Sequence, residues 1–471
     1  MLAGVGPRVR RTPLSASRCT REQVLMSSTP YRTAPTATTS LPGGISYIVS
    51  NEAAERFSYY GMRGILVIFM TKHLMAADGS AAPMTEPEAR AWFHVFAAAV
   101  YFFPLLGAVL SDYLLGKFRT ILILSVVYCL GHLALAMDET RLGLAIGLGL
   151  ISLGSGGIKP CVSAHVGDQF GAGNASMLPK VFGWFYLAIN LGAFVSSLLT
   201  PWLLEYYGSH VAFGVPGLLM LTATWVFWLG RNRFVHVPPA GPKFRTELAD
   251  PQVRASLWSL CGIYVFVAVF WSLYDQTASA WVQQAAHMNR EFLGVHWLSA
   301  QIQAINPVLI LTLVPIFSYV IYPLVGRVVR LTSIGKIAVG LFLTIPAFLI
   351  PAWVETQIAV GLVPSIGWQL LAYLLITAAE VLVSITCLEF SYTQAPRSLK
   401  SVVMSLYFLS VTAGNLLTSG VNFFIERPDG SLRLEGAAYY LLFAGFMTVA
   451  AIAFTIATRG YRETLVLQEE S

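Results

Sequence analysis

From Leu41 onward the chain is a succession of about twenty-residue apolar stretches, and nothing else in it limits the possible folds so tightly. Twelve such stretches fall near 45–73, 90–111, 118–137, 142–165, 177–199, 210–230, 253–285, 301–325, 333–352, 366–390, 398–424 and 436–458. A helix of roughly 20 apolar residues crosses a bilayer core with every backbone amide satisfied internally. The longest interruption, Arg231 to Arg254, is rich in Pro, Lys and Arg. It divides the stretches six plus six, the layout of transporters built from two related halves. Only 11% of the 471 residues are charged, against about 25% in soluble domains. A soluble enzyme, a secreted module and a disordered protein are therefore excluded, and an all-α polytopic membrane protein is expected. The net charge of +6 belongs to loops and is no nucleic-acid footprint. The five cysteines are scattered, without a CxxC pair or His/Cys cluster, so neither a disulfide framework nor a metal site is expected.

Orientation follows from Lys and Arg, which favour cytoplasmic loops. With the N-terminus inside, 21 of the 30 fall on the cytoplasmic side and six outside. The expected organisation is a disordered cytoplasmic tail (1–43), a six-helix bundle (44–230), a cytoplasmic linker (231–252), a second bundle (253–458) and a cytoplasmic tail (459–471). The expected location is the plasma or inner membrane. Residues 1–40 hold Glu22 as their only acid and lack the apolar core of a secretory signal. They read as a tail or a misplaced start, with Met26 the alternative, although composition also admits a mitochondrial presequence.

Charges inside spans are costly and mark functional sites by default. The first span holds Asn51-Glu-Ala-Ala-Glu-Arg-Phe-Ser-Tyr-Tyr-Gly-Met-Arg63. Glu52, Glu55, Arg56, Tyr59 and Arg63 recur at helical spacing on one stripe, with Tyr60 beside it. Such a set could be a static ion-pair network pinning two helices, or a group that takes up a proton when a partner moves. Lys159 lies in a Gly- and Pro-rich segment expected to interrupt its helix, Asp275 in the seventh span and Glu380 in the tenth. Together these charges read as the lining of one polar cavity. Cations from the first half facing Glu380 from the second suit a zwitterion. Tyr59, Tyr60, Tyr101, Asn190 and Asn306 add uncharged hydrogen-bonding groups.

These residues resemble the proton-dependent oligopeptide transporter family, a branch of the major facilitator superfamily. The signature Glu-x-x-Glu-Arg-Phe-x-Tyr-Tyr-Gly is intact as Glu52, Glu55, Arg56, Phe57, Tyr59, Tyr60 and Gly61. The segments 107–120, 154–170 and 185–192 are similar to further family signatures. The resemblance implies a twelve-helix facilitator fold and proton-coupled symport of di- and tripeptides by a monomer. No enzymatic activity is expected, since no metal cluster or nucleophile–base motif appears in the spans, and no cofactor, with protons as the coupling ion. Glu52, Glu55 and Arg56 would couple protons. Arg63 and Lys159 would bind the peptide carboxylate and Glu380 its amine. Tyr59, Tyr60, Tyr101, Asn190 and Asn306 would read the backbone. His94 matches a second-span histidine implicated in protonation, and it is expected to meet Asp275 when the external gate is closed. Cys161, Ala280 and Tyr407 depart from common family residues, which bears on side-chain preference. The rivals are a relative carrying another anion such as nitrate and a non-transporting nutrient receptor.

Overall fold

The computed structural model describes residues 31–239, 251–394, 400–427 and 431–459. The expected tails and linker thus lie largely outside the described residues, in 1–30, 240–250 and 460–471.

The first half comprises α1 (Ile45–Lys72), α2 (Glu86–Val109, continued as a π-helical turn, Leu110–Leu115), α3 (Lys117–Met137) and α4 (Arg141–Asp168). A long helical stretch, Leu178–Leu229, breaks at Gly208, whose φ of 80° makes it two helices, α5 (178–207) and α6 (209–229). The second half begins with α7 (Pro251–Tyr274), prolonged by a 3-10 turn (Asp275–Ala278) and a short helix (Ala280–Ala286). A two-stranded hairpin, β1 (Glu291–Phe292) and β2 (Val295–His296), leads to α8 (Ser299–Val325). Then come α9 (Ser333–Ala359), α10 (Gly367–Glu380, then a π turn, Val381–Ile385, and Thr386–Gln394), α11 (Lys400–Ile425) and α12 (Ala437–Ala457).

Among the described residues, ten helical stretches are long and apolar enough to cross a membrane. Counting twelve requires α5 and α6 to be taken separately and α1 to be included despite its charges. The chain is a multi-pass membrane protein. Threonines start several helices: Thr85, Thr140 and Thr332 each accept a backbone N–H from three residues on, which satisfies an otherwise orphaned donor. The helices also run further than the apolar pattern suggests. α5 continues through Pro201 and α9 beyond Pro351, because helix-breaking residues are tolerated inside a bilayer when neighbours re-satisfy the backbone. For the same reason α4 is continuous through Pro160, which corrects the expectation of an interrupted helix at Lys159.

Among the described residues two large apolar cores form, one per half, with a small third cluster of Ile310, Phe317, Val381 and Leu382 in the second half. Ala278, Val282 and Ala300 of the second half join the first core, where α7 ends and α8 begins. This side of the molecule, which also carries the 73–85 connection, is here the upper side. On the lower side Lys117 pairs with Asp168 at 2.7 Å. Residues 31–43, expected as part of a disordered tail, carry no helix or strand but make specific contacts there. Tyr31 stacks on His236 at 4.3 Å, Arg32 donates to the Arg233 carbonyl, and Asn174 donates to the Ser40 carbonyl.

Candidate functional site

The charges of α1 divide into two groups. Arg56 donates through Nε to Glu52 at 2.7 Å and pairs with Glu55 at 2.9 Å. Ser155 of α4 donates to the other oxygen of Glu55 at 3.0 Å. Both carboxylates are buried, so two anions share one guanidinium, an arrangement in which one carboxyl can take up a proton without leaving an unpaired cation. Two turns along, Arg63 points across the interface between the halves. Its Nη2 meets Asp275 Oδ1 at 2.5 Å.

Lys159 reaches its place through close helix packing. A Cβ at Gly107 would lie 2.2 Å from the Gly157 carbonyl oxygen, and one at Gly156 would lie 2.5 Å from that of Val100. Only glycine lets α2 and α4 approach so closely. That approach sets the Lys159 ammonium 4.2 Å from the Tyr101 ring centre and 4.4 Å from that of Tyr59, a cation–π cage. Among the described residues Lys159 forms no ion pair.

The cavity between the halves measures about 250 Å³, at the small end of ligand sites. Of the expected site residues it is lined by Tyr60, Arg63, Tyr101, Asn190, Asp275, Asn306 and Glu380. Tyr59, Lys159, His94 and the Glu52–Glu55–Arg56 group do not line it, so the single lining read from sequence becomes a wall with charged groups behind it. Asn190 donates to the Tyr186 carbonyl at 2.9 Å. Asn306 donates to Glu380 at 2.9 Å and to Thr377 at 3.1 Å. Glu380 forms no ion pair among the described residues. The π turn immediately after it turns Ser384 and Ile385 to the same cavity, a distortion common at functional sites.

His94 and Asp275 do not meet directly. Asn415 of α11 stands between them: its Oδ1 is 2.7 Å from His94 Nδ1, and its Nδ2 donates to Asp275 Oδ2 at 2.7 Å. Gly414 makes this possible, since a Cβ there would sit 2.3 Å from the Ala268 carbonyl oxygen. His94 Nε2 lies 2.9 Å from the Ser279 hydroxyl. The amide oxygen accepts, so the hydrogen-bond pattern assigns the neutral ring its proton on Nδ1. The result is a buried chain, His94–Asn415–Asp275–Arg63, that crosses between the halves twice. Above the cavity Gln303 donates to the Gly64 carbonyl and Gln301 to that of Leu198. These bonds tie the halves together on the upper side.

Sequence reasoning missed Asn415, Ser279 and the two glutamines, which are uncharged residues at span ends or in small-residue runs. It also missed Tyr186 and Tyr274, both on the cavity wall. Their positions, four before Asn190 and one before Asp275, were the available signal.

A sequence model of the POT family matches residues 118–256 and 245–442. Solute carrier family 15 member 2 of Rattus norvegicus is 37% identical over 371 residues, covering 68% of this chain and 50% of that protein. Peptide transporter family 1 of Drosophila melanogaster is 36% identical, over 67% of this chain and 48% of that protein. The chain spans about half the length of these curated relatives. Among solved structures, an auto inhibited POT family peptide transporter superposes with a TM-score of 0.82 at 35% identity, covering 91% of this chain and 99% of that one. A peptide transporter POT in complex with sulfate superposes at 0.76 with 26% identity, over 91% and 97% of the two chains.

Proposed function

The chain belongs to the POT family, and from that premise we propose that it is a proton-coupled symporter of di- and tripeptides. It works by alternating access as a monomer, a carrier rather than an enzyme, with protons as its coupling ion and no other cofactor. Both termini are cytoplasmic, which makes the upper side external and the present conformation closed to the outside.

One observation carries this reading. Glu380 and Lys159 stand on opposite halves, and among the described residues neither has an ionic partner. A buried charge without its counter-charge is costly, and a zwitterion supplies both counter-charges at once. The peptide amine goes to Glu380. Its carboxylate goes to Lys159, which leaves its aromatic cage, and to Arg63 once Asp275 releases it. On the cavity wall Tyr60, Tyr101, Asn190 and Asn306 offer neutral donors and acceptors to the peptide backbone, while Tyr59 stands behind it against Lys159.

Protons act at three places. On Asp275 a proton removes the charge that holds Arg63 and so loosens the closure between the halves. On His94 it occupies Nε2, and the Ser279 hydroxyl must then turn to accept. At the Glu52–Glu55–Arg56 group, a proton on one carboxyl leaves Arg56 paired to the other, which ties the local arrangement to the gradient.

The test is uptake of labelled dialanine into liposomes containing the purified protein, with and without an inward proton gradient. Accumulation above the external concentration only with the gradient supports symport. Gradient-independent equilibration or no uptake overturns it, and gradient-driven uptake of labelled nitrate in place of dialanine favours the anion-carrying rival.

A further inference from the structure

At the upper rim Arg90 reaches from α2 into the second half. It lies one helical turn before His94, yet belongs to none of the groups above. Its Nε donates to Asn422 Oδ1 of α11 at 2.9 Å, and its Nη1 donates to Gln283 Oε1 at the end of α7 at 3.2 Å. Its guanidinium carbon sits 4.7 Å from the ring centre of Tyr439 on α12. The partners are themselves fixed. Gln283 donates back to the Glu86 carbonyl of α2 at 3.3 Å. Asn422 donates to the Thr418 carbonyl and the Tyr439 hydroxyl at 2.8 and 3.2 Å. Three helices of the second half therefore meet on one side chain of the first.

We propose that Arg90 is the latch of the upper closure, a positioning residue that binds α7, α11 and α12 together against α2. This rests on the alternating-access reading. The residue type fits the task. A planar guanidinium can serve two acceptors and face a ring at once, which a lysine ammonium cannot. The partners fit it too, because among the described residues all of them are neutral. A full ion pair at this position would have to pull two opposite charges apart in every cycle. Amide and ring partners instead hold the guanidinium while the halves touch and let it return to water when they separate. The closure thus has a charged bond at depth, Arg63–Asp275, and at the rim the neutral-partnered Arg90, beside a Thr85–Glu426 hydrogen bond at 2.8 Å and a Glu86–His287 contact at 3.5 Å.

The test reads the distance between the halves in the full chain, with its five cysteines replaced by serine. Spin labels at Ala77→Cys and Leu293→Cys sit on exposed upper positions of the two halves. Pulsed dipolar spectroscopy without substrate gives the populations. Arg90→Ala should raise the ratio of open to closed roughly tenfold, and Arg90→Lys should raise it less. Asn422→Ala should act in the same direction and add little in the Arg90→Ala background. Arg141→Ala breaks an ion pair with Glu88 wholly within the first half and should leave the distances unchanged. Should Arg90→Ala fail to fold, Asn422→Ala and Gln283→Ala carry the same comparison. Unchanged distances in the latch variants, or equal opening by Arg141→Ala, overturn the proposal. A wild type that takes up no dialanine contradicts the transport reading instead, and the distances still decide the role of Arg90.

Discussion

In the first half charge is held mostly against charge, Arg56 between Glu52 and Glu55, whereas in the second half Glu380 rests on the Asn306 amide and, among the described residues, forms no ion pair. The first arrangement can exchange a proton and stay locally balanced. The second holds its carboxyl by hydrogen bonds rather than by an ion pair, which leaves it open to an incoming ammonium. Lys159 is the counterpart of Glu380 across the interface, a cation kept in an aromatic cage instead of an ion pair. On the proposed reading the difference separates two tasks: the Glu52–Glu55–Arg56 group is built into one half, and recognition needs both.

If that division holds, the largest effect belongs to Lys159. Lys159→Ala should lower dialanine uptake by more than about a hundredfold, the scale of a buried carboxylate left without its partner. Wild-type uptake would place the peptide carboxylate elsewhere and erase the pairing across the halves.

Glu380 sharpens the comparison through the substrate. N-acetylated dialanine should compete poorly against free dialanine in the wild type. In Glu380→Gln most of that advantage, itself approaching a hundredfold on the same grounds, should vanish. Equal sensitivity to acetylation in both proteins would remove Glu380 as the amine partner and leave Asp275 as the next acid to test.

Asn415→Leu should have a smaller effect, about tenfold on transport rate. It orphans hydrogen bonds on His94 and Asp275 without removing a charge. Its signature is a shifted pH profile of uptake with little change in dialanine affinity. An unchanged profile would show that the bridge between His94 and Asp275 plays no part in proton sensing.

How far the sequence carried these points depends on residue type. Four charges in an apolar helix are conspicuous, so the Glu52–Arg63 stripe, Lys159, Asp275 and Glu380 were legible one by one. Their partners were not. Arg63 and Asp275 are 212 positions apart, and no local pattern joins them. Asn415 sits in a run of small residues, where its role depends on the close approach that Gly414 permits. Pro160, Pro201 and Pro351 look like helix ends in water, yet neighbouring helices sustain the backbone through them. The α1 stripe also suggested one surface, but Glu52 and Glu55 are held at Ser155 and Arg56 whereas Arg63 crosses to α7.

The most direct measurement of the division between coupling and recognition compares two assays of Glu52→Gln in liposomes. Glutamine keeps a hydrogen-bond acceptor for Arg56 but cannot take up or release a proton. The variant should exchange labelled for unlabelled dialanine without a gradient at near wild-type rates, yet fail to accumulate it when an inward proton gradient is imposed. Accumulation equal to the wild type would contradict the account, because the first half would then not hold the coupling group.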